Sequence, residues 1–284
     1  MKYVFVGNRR FVLEEMLKKK LDVTIFVVKN THLEREAFLK EMPHIVIDSK
    51  AEFLKKLDEI EFDVLISNGL PYILPISKMD SSKIFVNIHP SYLPDFKGVD
   101  PAHGSILFKR DGGATSHIMT DDLDAGDIIS QVKIPYSDDL DVCMMYQLGF
   151  IGEKMVFNES LEREFKPAYK QVVTPDLIYY TRRDEDKTIT FEESNEDIVS
   201  KVKAFNNKSQ GCTFTCQGHK FKTYDADIMT NKFLLDYANG FDDLTILFVY
   251  EDYVVIKKDG DVLRLGKVSG SFDKLQINSC INDE

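Results

Sequence analysis

Short apolar runs alternate with amphipathic segments through about the first 90 residues, and few folds satisfy that alternation. Residues 3–6 form a continuous apolar run, as expected of a strand buried on both faces. Residues 11–20 carry Phe11, Leu13, Met16 and Leu17 at helical spacing. Residues 23–28 predict a second strand, 32–40 a helix and 44–47 a short strand. Over 51–60, Phe53, Leu54 and Leu57 oppose Lys55, Lys56 and Asp58, which predicts an amphipathic helix; 62–67 predicts another strand. The spacing is that of βαβ units. It predicts an α/β fold, a Rossmann-like, mostly parallel sheet with helices on both faces.

Within that frame the most informative stretch is Asn87-Ile88-His89-Pro90-Ser91-Tyr92-Leu93-Pro94-Asp95-Phe96-Lys97-Gly98. Residues 83–86 before it are rich in β-formers. Side chains alternate along a strand, so Asn87 and His89 leave it on one face. Pro90 cannot donate to a sheet ladder and should end the strand; Pro94 and Gly98 then mark a loop. A polar pair at the carboxyl end of a strand is where open α/β sheets bind ligands. A second polar stretch, Asp121-Asp122-Leu123-Asp124-Ala125-Gly126-Asp127, follows the predicted strand 114–119 and supplies carboxylates. Two strand ends, one with an amide and an imidazole and one with carboxylates, can converge on one site.

Composition removes several classes of function. With 284 residues, 43% of them hydrophobic, the chain is more comfortable as two domains than one. Its formal net charge is −11, and from residue 171 onward 14 Lys and Arg face 20 Asp and Glu, a net of −6. An acidic chain repels nucleic acid unless its basic residues are segregated, so no nucleic-acid partner is expected. No apolar run approaches the roughly 20 residues that span a bilayer, so no membrane partner is expected. Cys143, Cys212, Cys216 and Cys280 form no dense framework, and the N-terminus enters a strand directly; both features predict a soluble, cytoplasmic protein. The first strand–helix turn, Gly7-Asn8-Arg9-Arg10, lacks the three-glycine dinucleotide pattern, and no Walker-type phosphate loop occurs. Two arginines at a helix start can still hold an anion.

Residues 102–109 predict a helix, 128–134 a strand, and 141–161 a long helix with Cys143, Met144, Leu148 and Ile151 as its apolar positions. Residues 166–175, polar and with two prolines, predict a linker, dividing a catalytic domain (1–170) from a C-terminal domain (171–284). The second domain should be small and β-rich, open-barrel-like, with strands at 212–216, 220–224, 246–250, 253–258 and 262–265 and a helix at 195–205. Gln217-Gly218 and Asp259-Gly260 are hairpin signals. Cys212, Cys216 and His219 lack zinc spacing and a fourth ligand, so core packing is the better account and no metal is expected. His117 sits mid-strand and is expected to be structural; His32, His44 and His219 have no motif around them.

The pattern Asn87-Ile88-His89-Pro90-Ser91-Tyr92-Leu93-Pro94-x-x-Lys97-Gly98, followed by Leu123-Asp124-Ala125-Gly126-Asp127, resembles the N10-formyltetrahydrofolate-dependent formyltransferase superfamily. The resemblance covers most of residues 1 to about 165. The tail, notably Tyr180-Thr181-Arg182-Arg183-Asp184-Glu185-Asp186 and Lys203-Ala204-Phe205, resembles the C-terminal domain of methionyl-tRNA formyltransferase. The resemblance implies that Asn87, His89 and Asp124 are catalytic, with N10-formyltetrahydrofolate as co-substrate and no metal or covalent intermediate. An amine would attack the formyl carbon, Asn87 would stabilise the oxyanion, and His89 or Asp124 would handle the proton. It also implies that Tyr72, Ile73, Leu74, Asp121 and Asp122 contact the pterin.

The run Asn68-Gly69-Leu70-Pro71-Tyr72-Ile73-Leu74-Pro75 resembles sugar-nucleotide N-formyltransferases of the dTDP-4-amino-4,6-dideoxyglucose type, which serve surface polysaccharide biosynthesis. An amino-sugar nucleotide is therefore the expected acceptor, its diphosphate held by Asn8, Arg9, Arg10 and Lys97, in an enzyme expected to be a homodimer. Methionyl-tRNA is the alternative acceptor; the net-acidic tail, the Lys97 position and the chain length count against it. A hydrolase that gives the formyl group to water, and a non-catalytic binding protein, are alternatives of other classes.

Overall fold

A computed structural model describes residues 1–281. The chain divides into two compact units: residues 1–101, 111–135 and 147–180 in the first; 102–110, 136–146 and the remainder from 181 in the second.

The first unit is built on a seven-stranded sheet. In chain order its elements are β1 (Lys2–Gly7), α1 (Arg10–Lys18), β2 (Asp22–Val28), β3 (Ile45–Ile47), α2 (Lys50–Leu57), β4 (Val64–Asn68) and β5 (Ile84–His89). After α3 (Pro101–Leu107), which belongs mainly to the second unit, come β6 (Gly112–Ile118), β7 (Ile128–Ile134) and α4 (Val142–Glu162). The strand order is β3-β2-β1-β4-β5-β6-β7. Strands β1 to β5 pair in parallel, whereas β6 is antiparallel to both β5 and β7. The order reverses at β1, where the chain has gone out to β3 and returns to β4, and such a switch point opens a crevice at the carboxyl ends of the strands.

Both faces of the sheet are covered, which explains the unbroken apolar runs of its central strands. Tyr3, Phe5, Ile25, Val27, Ile66 and Val86 share one core with Val12, Leu13 and Met16 of α1 and Val156 and Phe157 of α4. The alternate residues Val4, Val6, Phe26, Val28 and Leu65 share the other with Phe53 and Leu57 of α2. Ser49 caps α2, its hydroxyl accepting the Glu52 N–H at 3.2 Å. The predicted helix over 32–40 is instead two short 3₁₀ turns, Leu33–Arg35 and Ala37–Glu41. They are separated by Glu36 in an extended conformation, where its carboxylate meets Arg10 and His32.

The second unit contains α5 (Asn195–Phe205), β8 (Cys212–Cys216), β9 (His219–Thr223), β10 (Asp225–Ile228), α6 (Lys232–Ala238), β11 (Ile246–Tyr250), β12 (Tyr253–Lys258) and β13 (Asp261–Gly266). β10, β13, β12 and β11 form a four-stranded antiparallel sheet in that order, and β8 and β9 a separate hairpin. Gln217-Gly218 and Asp259-Gly260 all have positive φ, the geometry that two-residue hairpin turns require. Cys212, Phe214 and Cys216 are all buried on one face of β8. Among the described residues, no helix is long and apolar enough to cross a membrane, and no His, Cys, Asp and Glu group could hold a metal ion.

Candidate active site

A cavity of about 420 Å³ opens at the carboxyl ends of β1, β4 and β5, beside the switch point between β1 and β4. Its polar lining includes Asn8, Arg9, Asn87, His89, His117 and Asp124, and its apolar lining Leu70, Tyr72, Ile73, Val99, Met119 and Leu123.

The polar residues arrive from three segments. Period-two alternation on β5 places Asn87 and His89 on one face, as the sequence predicts. The loop that follows is pinned from below. Thr115 Oγ1 donates to the Ser91 carbonyl (2.7 Å) and accepts the Leu93 N–H (3.1 Å), while Gln131 Nε2 donates to the Leu93 carbonyl (2.7 Å). This brings the Phe96 carbonyl to 2.9 Å from His89 Nε2. A carbonyl oxygen only accepts, so Nε2 carries the proton and, in the neutral ring, Nδ1 carries the lone pair. Nδ1 lies 3.5 Å from Asp124 Oδ2.

Asp124 comes from the loop between β6 and β7 and is itself buried, with a left-handed backbone (φ 47°). Oδ2 accepts the Gly98 N–H (3.1 Å) and Oδ1 accepts from Asn87 Nδ2 (3.1 Å). Gly126 lets that loop close: a Cβ there would lie 1.8 Å from the Ile118 carbonyl oxygen. The loop is held at its base by the Ile118 N–H, which donates to the Asp127 carbonyl at 2.9 Å.

His117, expected from its mid-strand position to be structural, also lines this cavity. It is the antiparallel partner of Asn87 across β5 and β6. Its Nδ1–H donates to the Ile118 carbonyl (2.9 Å), leaving Nε2 as acceptor for Asn87 Nδ2 (3.2 Å) and 3.5 Å from Asp124 Oδ1. Both Asn87 amide N–H groups are thus engaged within the chain, one by Asp124 and one by His117. An oxyanion can be bound by Asn87 only if one of them turns.

Burial pushes the His89 imidazole below its ordinary value near 6.5, against the opposing pulls of Asp124 and the Phe96 carbonyl. For Asp124, burial alone would raise the carboxyl. Attraction to the His89 and His117 rings, which acts while those rings carry a proton, together with the Gly98 N–H, outweighs it and holds the group well below the usual carboxylate range. Burial thus favours a neutral imidazole whose Nδ1 lone pair faces the Asp124 carboxylate. That is the state required of a proton acceptor at neutral pH.

The other residues predicted for binding divide. Tyr72, Ile73, Leu74 and Asp122 line the cavity. Asp121 does not; its Oδ1 accepts the Ser77 N–H at 3.0 Å, outside the lining. Asn8 and Arg9 line the cavity, whereas Arg10 turns away to Glu14 and Glu36, and Lys97 is buried outside the lining. Arg9 also has a partner that no local sequence signal indicates. Its guanidinium is bonded to Glu153 of α4, a carboxylate with no exposed surface, and lies 5.9 Å from the Phe150 ring centroid. Burial pushes the Glu153 carboxyl up, and Arg9 pulls it back.

Residues 14–159 match the formyl transferase family and residues 182–282 its C-terminal domain; the chain belongs to the formyl transferase family. Among curated proteins, it is 36% identical over 108 residues to the methionyl-tRNA formyltransferase of Listeria monocytogenes, covering 37% of this chain and 35% of that one. With the corresponding protein of Streptococcus sanguinis it shares 26% identity over 191 residues, 64% of this chain and 59% of that one. The match thus spans between about a third and three fifths of the length of these relatives. Among solved structures, the fold is similar to WlaRD, a sugar 3N-formyl transferase crystallised in the presence of dTDP and 5-N-formyl-THF (TM-score 0.71, 19% identity, 94% of this chain and 97% of that one). It is similar also to the N-formyltransferase from Helicobacter canadensis in complex with folinic acid and dTDP-3-aminofucose (TM-score 0.72, 20% identity, 94% and 99%).

Proposed function

We propose that this protein transfers a formyl group from N10-formyltetrahydrofolate to the primary amine of an amino-dideoxy sugar nucleotide, in the cytoplasm. The observation that carries the proposal is the convergence of Asn87, His89 and Asp124 on one partly apolar cavity, with Asp124 3.1 Å from Asn87 Nδ2 and 3.5 Å from His89 Nδ1. Tyr72, Ile73 and Leu74 of the lining are suited to a flat heteroaromatic ring. When bound there, the folate supplies the formyl carbon that the amine attacks.

Each residue then has a task. His89 Nδ1 takes the proton that the amine must lose as the new C–N bond forms. The imidazolium so made lies between the Phe96 carbonyl and the Asp124 carboxylate, both already in place. Asn87 turns an N–H from Asp124 or His117 toward the formyl oxygen as negative charge builds there, a contribution of about 3–4 kcal/mol in comparable sites. His89 returns the proton to the departing nitrogen when the old C–N bond breaks, which balances the step.

Three features support a sugar nucleotide as acceptor. Asn8 and Arg9 line the same cavity, suited to a diphosphate. The two similar solved structures, named above with dTDP or a dTDP-sugar, align with nearly the whole chain. Residues 171–284 carry a net charge of −6, unfavourable for tRNA. Methionyl-tRNA is the second reading, favoured by the named relatives. The test is to supply formyl-folate with 3-amino and 4-amino dTDP-sugars or with methionyl-tRNA. Formylation of methionyl-tRNA alone would overturn the sugar reading.

A further inference from the structure

The polar stretch that follows α4, which the sequence suggests is a linker, is bonded to the site. It belongs to the first unit and lies between the two family matches, which end at 159 and resume at 182. It leaves the sheet edge at a bridge between Ile128 and Tyr169. Gln171 Nε2 then donates to two carbonyls of the catalytic loop, Asp124 (2.9 Å) and Gly126 (2.8 Å). Seven residues on, the Ile178 N–H donates to Asp95 Oδ1 (3.0 Å), and the Ile178 carbonyl accepts the Phe96 N–H (2.9 Å).

The two residues held in this way share an unusual property. Asp124 and Phe96 both have left-handed backbones, with φ of 47° and 55°. Non-glycine residues stay in that region only when their surroundings over-determine it. Each also sets one side of the proton-transfer pair: Asp124 supplies the carboxylate facing His89 Nδ1, and the Phe96 carbonyl fixes His89 Nε2. Both partners of Gln171 Nε2 are carbonyls, so the amide can be oriented only one way.

We infer that residues 171–178 form a strap that sets the catalytic geometry, and that Gln171 is a positioning residue for Asp124. The inference rests on the reading of Asp124 and His89 given above. Losing the Gln171 donor frees the Asp124 carbonyl and lets the strained turn relax, moving the carboxylate away from Nδ1. A displacement on the order of 1 Å costs up to about a hundredfold in rate.

The test is a kinetic cycle with formyl-folate and the best amino-sugar nucleotide, in the full chain. Gln171→Ala should lower kcat between tenfold and a hundredfold by that estimate, roughly, while the KM for formyl-folate changes less than about twofold. Gln171→Glu, which keeps the size but presents oxygen to both carbonyls, should lose at least as much. Val173→Ala, at an exposed position of the same strap, should match the wild type. In an Asp124→Asn background, removing Gln171 should cost almost nothing further, because its effect passes through Asp124. A Gln171→Ala enzyme with wild-type kcat beside an impaired Asp124→Asn enzyme overturns the strap; so does the same fold-loss in both backgrounds, which is what general destabilisation produces. Wild-type kcat in Asp124→Asn itself overturns the reading of the site instead.

Discussion

Replacing Asp124 by Asn tests the electrostatics of the site with almost no change in shape. On the proposed mechanism the carboxylate faces a neutral imidazole in the resting state and a ring gaining a proton in the transition state. The relevant separation is 3.5 Å between His89 Nδ1 and Asp124 Oδ2, with both side chains only 6% exposed. At an effective dielectric of about 20, opposite unit charges at that distance attract by about 5 kcal/mol. Solvent screening discounts little of this at such burial. Because the attraction exists only once the proton has moved, its loss falls on kcat rather than on substrate binding. Five kcal/mol corresponds to between three and four decades in rate, so kcat should drop by about 10³- to 10⁴-fold. The amide also sets its NH₂ against either the Gly98 N–H or Asn87 Nδ2, costing stability of about 1–3 kcal/mol, readable as a lower unfolding midpoint. Steady-state formyl transfer, followed by conversion of formyl-folate to tetrahydrofolate, measures both constants. A kcat within tenfold of wild type, or a loss confined to KM, would refute the argument that Asp124 stabilises the protonated ring.

Three further outcomes follow from particular contacts. Burial lowers the His89 pKa, so its ring should titrate below pH 6.5 by NMR; stability linked to this group is full above 6.5 and declines as pH falls through the depressed folded value, and a midpoint at or above 6.5 contradicts the burial argument. Gly126→Ala places a methyl 1.8 Å from the Ile118 carbonyl oxygen, a backbone atom that cannot yield, whereas Gly149→Ala meets nothing within 4 Å; thermal melts should show a loss of several degrees for the first and no loss for the second. Arg9→Ala leaves Glu153 buried without its ion-pair partner and should cost about 3–5 kcal/mol in chemical denaturation, and Glu153→Gln added to it should recover most of that; no recovery would mean that the pair is not what holds this corner.

Much of this architecture is visible in the sequence because it follows from period and punctuation. The central strands are continuous apolar runs since both faces are covered, and Asn87 and His89 share a face since strands alternate. Pro90 and Gly98 bound the loop as their backbone chemistry requires. Elements that depend on side chains meeting across the fold are not visible. His117 reaches the site only through the register that pairs it with Asn87, and no local signal encodes that register. Arg9 and Arg10 look alike at a helix start, yet one lines the cavity and the other pairs with Glu14 and Glu36. Glu153, Gln171 and their partners are separated by 144 and up to 47 residues, distances over which single-sequence patterns carry nothing. The helix Lys232–Ala238 was within reach: Asn231 caps it by accepting the Leu234 N–H at 3.1 Å, a start signal of the ordinary kind.

The central claim is that one enclosed spot brings a primary amine to a formyl carbon under the control of His89. Mass spectrometry of an amino-sugar nucleotide incubated with formyl-folate and the protein addresses it directly. The account predicts a product heavier by one formyl group less a hydrogen, formed by the wild type and lost in His89→Ala. Formylated product at the wild-type rate from His89→Ala, or free formate with no acceptor consumed, would contradict it.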